Sequence, residues 1–206
     1  MPPIYHFTDG RNLEPILAAG ELRAHALARE STRVEIADAG IKEWREARQV
    51  PCEPGGFVCD YVPFYFAPRS PMLFKVKSGG VEGVDPDQRP IVYFVTSTEL
   101  VVAAGLPCVF TDGNAAKVMT EFSNDLARLD EMVDWPLMAT KYWRNTEEDG
   151  DRVRRRMAEF LVGGAVPLDL VTEIAVYDAE VGGRVAGMLP NAGVGLPMHV
   201  RREWYF

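Results

Sequence analysis

Apolar and polar positions along the chain change period every few residues, which predicts short strands and short helices interleaved without a regular repeat. Residues 4–8 (IYHFT) alternate weakly and read as a strand. Leu13, Ile16 and Leu17 then fall at helical spacing over 12–19, with Gly20 as the C-terminal cap. Residues 26–49 carry both charge signs and are mostly helical in pattern, with a narrow apolar stripe of Ile41, Trp44 and Ala47. Arg45 and Arg48 lie three apart there, hence on one face. After a Pro/Gly turn at 51–56, Val62, Phe64 and Phe66 alternate with Pro63, Tyr65 and Ala67, a strand with Pro63 near its edge or start. Ser70-Pro71 is the N-cap and first-turn proline of the following helix.

Further on, residues 91–96 read as a buried strand. Thr96 with Glu99 predicts a capping box for a helix ending at Gly105. Residues 110–113 read as a strand end and turn, Asn114 as the cap of a helix over 115–122, and 126–146 as loop. A strand over 171–177, a helix from Asp178 to about Leu189 and a last strand over 198–206 complete the pattern. Strands and helices without a βαβ period, and without a glycine-rich dinucleotide fingerprint after a strand, give an α+β fold.

The run from Tyr142 to Val162 stands apart. Its acidic first half (Glu147, Glu148, Asp149, Asp151) predicts a surface loop. Four arginines (Arg152, Arg154, Arg155, Arg156) follow, and then the apolar run Met157 to Val162 with the single carboxylate Glu159 inside it. Such a carboxylate is either the exposed face of a helix ending the arginine run, or a buried acid of the kind an active site uses.

Composition narrows the picture. At 206 residues and 47% hydrophobic, the chain suffices for one substantial core, so a single domain over 1–206 is expected. A net charge of -8 argues against bulk attraction to nucleic acid and confines any such contact to a groove. Three cysteines and three histidines without ligand spacing predict no metal site and a reduced, cytoplasmic protein. No long apolar span points to a membrane, and nothing in the sequence demands a dimer, so a monomer is expected.

The pieces YHFTDGRNLEPILAAGEL, DYVPFYFAPRSPML, FTDGNAA and RRRMAEFLV, in that order and spacing, resemble the DarT family of bacterial toxins, which are DNA ADP-ribosyltransferases. The resemblance covers nearly the whole chain. It implies a compact ADP-ribosyltransferase-like fold, with central mixed or antiparallel sheets flanked by helices. It further implies a cleft for NAD as ADP-ribose donor, and single-stranded DNA, most often at thymine, as acceptor. The partner it implies is an antitoxin with an ADP-ribose-removing macrodomain.

The same resemblance assigns roles. Glu159 matches the catalytic glutamate, stabilising positive charge on the ribose as nicotinamide leaves and taking the proton of the thymine ring nitrogen. Arg45 matches the arginine that polarises the base carbonyl, with Arg48 the alternative one turn on. His6, the backbone of Phe7, Thr8 and Asn12 are the implied cofactor contacts; placement in the chain, not the resemblance, sets Tyr65 to face nicotinamide and Arg69, at a strand-to-helix junction, to receive a phosphate. On the DNA side, Trp135, Tyr142 and Trp143 offer stacking faces, and Lys141, Arg144, Arg154 and Arg155 can meet phosphates. The plain alternatives are that the histidine and aromatics are packing and that the arginines pair with the acidic run. For function, the alternatives are transfer to RNA or protein, or a module that binds NAD or nucleic acid without turnover.

Overall fold

The computed structural model describes residues 2–36, 39–189 and 195–206. Ten strands are present among them: β1 (Pro3–Asp9), β2 (Glu21–Arg23), β3 (Tyr61–Tyr65), β4 (Ile91–Ser97), β5 (Cys108–Thr111), β6 (Phe122–Ser123), β7 (Glu159–Gly163), β8 (Ala165–Pro167), β9 (Glu173–Val176) and β10 (Met198–Val200). Eight of them form one sheet in the order β10-β9-β4-β1-β3-β7-β5-β6, while β2 and β8 pair separately. Every neighbouring pair is antiparallel except β10 beside β9. The helices are α1 (Leu13–Ala19), α2 (His25–Ala28), α3 (Ala39–Ala47), α4 (Pro71–Lys77), α5 (Thr98–Ala103), α6 (Leu129–Met132), α7 (Trp135–Ala139), α8 (Arg152–Arg155) and α9 (Ala179–Met188).

The period-2 alternation of the strands sorts their side chains into cores on the two faces of the sheet. Ile4, Phe64, Val92, Phe94, Phe160 and Val162 pack on one face; Phe7, Ile91 and Tyr93 pack on the other. The two halves of the sheet meet at one residue pair, Tyr5 opposite Tyr65. Pro63 supplies a reason. In an extended strand a residue's N–H and C=O point to the same neighbour. The Pro63 carbonyl is turned toward β1, where it accepts from His6 Nδ1 at 2.9 Å. The N–H that would continue the ladder is missing from proline, and a split opens between β1 and β3.

The local signals at Gly20, Ser70 and Asp178 hold. Gly20 caps α1 at φ 71°, Ser70 accepts from the Leu73 N–H, and Asp178 from the Val181 N–H. Other expectations are corrected. Of residues 26–49, only the end of α2 and α3 are helical, and the stripe residue Trp44 is 61% exposed. Residues 115–122 form no helix: Asn114 Oδ1 takes the Ala116 N–H and its carbonyl takes Lys117 N–H and Thr120 Oγ1–H, winding a turn that ends in β6. Ser97, not Thr96, caps α5, because the Thr96 hydroxyl donates to the Leu170 carbonyl. The stretch 126–146 holds α6 and α7, and β10 stops at Val200, before a 3-10 turn over Arg202–Trp204. Glu159 lies on no helix; it is the first residue of β7.

Candidate active site

The carboxylate of Glu159 is buried, with 1% of its side chain exposed. In the register of β3 and β7, Glu159 stands opposite Tyr65, so both side chains leave the same face of the sheet, the one that also carries Phe7. Three hydrogen bonds from two donors hold the acid. Arg45 Nη1 reaches Oε2 at 2.8 Å and Oε1 at 3.1 Å, and the Ala115 N–H donates to Oε1 at 3.0 Å. Its backbone is pinned too: the Glu159 N–H donates to Thr111 Oγ1 at 3.0 Å, while that hydroxyl donates to the Gly113 carbonyl at 2.7 Å. A strand end, a helix and a turn thus converge on one carboxylate. Arg45 Nη2 is buried without a partner among the described residues, leaving a donor for a substrate oxygen.

Two cavities, of about 180 and 410 Å³, adjoin at the split and share His6, Phe7, Arg45 and Pro63 as walls. The smaller runs past Thr8 and Asn12. The larger is more apolar and is bounded by Tyr65, Met72, Lys117 and Met157. Phe7 and Tyr65 stack nearly parallel there, ring centroids 5.8 Å apart. His6 is held neutral. Burial pulls its pKa below the ordinary 6.5, the Pro63 carbonyl pulls it up, and the Arg45 charge lowers it. Because a carbonyl only accepts, His6 Nδ1 carries the proton and Nε2 is left as an acceptor. Burial, reinforced by the Glu159 charge, keeps the Tyr65 phenol protonated. Thr8 and Asn12 are committed to each other and to the chain crossing the cleft. Asn12 Nδ2 donates to Thr8 Oγ1 and the Val34 carbonyl, and its Oδ1 accepts from the N–H groups of Arg33 and Val34.

Other sequence candidates lie elsewhere. Arg48 does not reach Glu159; it donates to the Val118 carbonyl and lies 5.6 Å from the Phe122 ring. Arg69 lines neither cavity, and its guanidinium sits 4.1 Å over the Phe206 ring. Trp143 is buried between Phe74 and Phe206, and Trp135 packs edge-on against Phe66 with its indole N–H on Asp130. Arg144 lies over Phe74 and Lys141 beside Tyr142, which is 78% exposed. Arg154 is taken by Asp112 and Asp151, and Arg155 by Asp134 and Asp149. For these two arginines the plain alternative, pairing with acids, describes what they do. Thr111, Asn114 and Ala115 escaped assignment, although FTDGNAA marked their turn, because Ala115 acts through its N–H and the other two bind backbone groups of the turn and of β7, which side-chain type does not announce.

The DarT family, described as ssDNA thymidine ADP-ribosyltransferase, matches residues 5–206. A DNA ADP-ribosyl transferase of Thermus sp. (strain 2.9) is 41% identical over 206 residues, covering 99% of this chain and 96% of that protein. The solved structure of Thermus sp. 2.9 DarT in complex with ADP-ribosylated ssDNA superposes with a TM-score of 0.92 at 39% identity, over 99% of this chain and 96% of that one. The same protein in complex with NAD+ superposes at 0.87, with 38% identity over 99% and 97%. A DNA ADP-ribosyl transferase-DNA ADP-ribosyl glycohydrolase fusion protein of Thermosipho africanus is 27% identical over 194 residues, 93% of this chain and 46% of that protein.

Proposed function

The chain belongs to the DarT family, and on that premise we propose that it takes ADP-ribose from NAD and transfers it to a thymine base of single-stranded DNA, with Glu159 and Arg45 at the reacting centre. One observation carries the assignment of the centre: a buried carboxylate, behind the walls of both cavities, gripped by Arg45, which lines the two of them. The cleft suits a dinucleotide. Phe7 and Tyr65 offer an apolar wall for a flat pyridine ring, and His6 Nε2 accepts from a ribose hydroxyl.

As the bond from nicotinamide to ribose breaks, positive charge grows on the sugar. A carboxylate fixed by the Ala115 N–H and by β7 stabilises that charge more in the transition state than before it. Glu159 also takes the thymine ring proton, and Arg45 Nη2 polarises the adjacent carbonyl and offsets the anion that forms. In the resting site Arg45 already neutralises Glu159, so binding exchanges part of that pairing for contacts to substrate.

A single strand suits this chemistry because pairing buries the thymine ring nitrogen. The chain works as a single catalytic domain and as a monomer, since one copy lines both cavities. It selects its thymine by flanking sequence and acts in the cytoplasm, and no helix among the described residues is long and apolar enough to cross a membrane. It is the toxin of a pair whose other member removes ADP-ribose from DNA, as the fused relative's name supports. The test is incubation with NAD and a thymine-bearing oligonucleotide, single-stranded or annealed. Addition of ADP-ribose with release of nicotinamide is expected on the single strand and much less on the duplex; no addition to any thymine-bearing strand contradicts the reading.

A further inference from the structure

Two of the cations expected to meet DNA, Arg154 and Arg155, are spoken for, while two cations near Glu159 have no carboxylate beside them among the described residues. Arg154 and Arg155 each lie within ion-pair distance of two or more carboxylates. Arg48 and Lys117 have no carboxylate within 4 Å among the described residues, and Arg48 Nε is without a partner. Beside them lie apolar side chains that the core does not use: Trp44 at 61% exposure, Val118 at 77% and Met119 at 73%. An exposed tryptophan with apolar neighbours and unpaired cations calls for an occupant.

These residues form one continuous surface leading away from Glu159. The Arg48 N–H donates to the Trp44 carbonyl at 2.9 Å, which continues the helical turn of α3. At about 100° per residue, Arg48 falls between Trp44 and Arg45 on the helix surface. Arg48 Nη2 then bridges to the Val118 carbonyl on the turn whose Ala115 N–H holds Glu159. Lys117 of that turn lines the larger cavity with Arg45. Glu43, the neighbouring acid of α3, is about 140° round the helix from Arg48.

We infer that Trp44, Arg48 and the 117–119 turn form a track for the nucleotide flanking the target thymine, Trp44 stacking on its base and Arg48 and Lys117 meeting phosphate. This rests on the reading that the acceptor is single-stranded DNA. Charge complementarity selects the occupant: cations that no acid among the described residues neutralises, beside a flat exposed ring, match a strand whose bases are unpaired.

The experiment is fluorescence anisotropy of a labelled single-stranded oligonucleotide carrying one thymine, titrated with the intact protein without NAD, so that no base is modified. Trp44→Ala is expected to weaken binding about tenfold, with much of the affinity restored in Trp44→Phe, because stacking of one base is being removed and returned. Arg48→Gln is expected to lower the slope of log affinity against log salt by about 0.7, the share of one phosphate contact on a single strand. Trp44 is exposed, so the thermal midpoint of Trp44→Ala should stay close to wild type. Affinities within twofold of wild type in both variants, or a Trp44-dependent self-association in place of the DNA effect, overturn the inference. If the wild-type chain still transfers ADP-ribose while the variants bind unchanged, only this track fails; if it transfers to no strand, the function itself is misread.

Discussion

At the scale of single residues the site is an acid, an arginine and an imidazole, the last held neutral by its burial. Glu159→Gln keeps the shape and one acceptor oxygen but removes the charge, and is expected to cut transfer by about a hundredfold or more, the order seen when one transition-state contact is lost. NAD binding, followed by calorimetry, should persist. His6 yields a pH prediction. Its folded-state pKa lies below the ordinary 6.5, so below that pH the unfolded chain takes up a proton that the folded chain refuses. Stability therefore falls as pH drops through about 6.5. Comparing urea midpoints at pH 7 and 5, His6→Gln should show a smaller fall than wild type. Legibility divides along the same line. Glu159 stood out in sequence because a lone carboxylate in an apolar run is conspicuous, whereas Arg45 came only from the family resemblance, with Arg48 as its alternative one turn on. Arg154 and Arg155 misled because a basic run does not reveal which acids it will meet: Asp112 and Asp134 arrive from 42 and 21 residues away.

At the scale of elements, function depends on where β7 begins. Residues 152–156 wind α8 and its cap, and the chain straightens at Glu159, so the acid sits at the strand's first position beneath the turn at 113–116. Thr111 locks that arrangement by taking the Glu159 N–H. Thr111→Val, similar in shape without the hydroxyl, leaves this buried N–H and the Gly113 carbonyl unsatisfied and is expected to cost about 1–3 kcal/mol by chemical denaturation. Transfer should fall with it, as the carboxylate loosens. Strands and caps with local signatures were legible: Ser70-Pro71, Asp178, Gly20 and β4 with its apolar run over residues 91–95. The helix expected over 115–122 was not formed, because Asn114 gives its side chain and carbonyl to a turn that must place Ala115 against Glu159. Pro63 was legible as an anomaly in a strand, but its consequence, a sheet divided at one residue pair, needed the neighbouring strands.

At the scale of the molecule, a chain of net charge -8 binds a polyanion through a narrow strip. With Arg48 and Lys117 as its phosphate contacts, raising salt from 50 to 200 mM should weaken oligonucleotide binding only about sevenfold, from a slope of about 0.7 for each contact. A far steeper dependence would point to a broad basic face, which the paired arginines do not supply. The α+β class followed from the pattern of strands and helices, whereas the cleft did not, since it arises where two half-sheets part. The central claim is that the buried acid of β7 performs the transfer. The most direct measurement is the mass of a single-stranded, thymine-bearing oligonucleotide after incubation with NAD and either the wild-type chain or Glu159→Gln. The account predicts an added ADP-ribose with the first and an unmodified strand with the second; equal addition by both would contradict it.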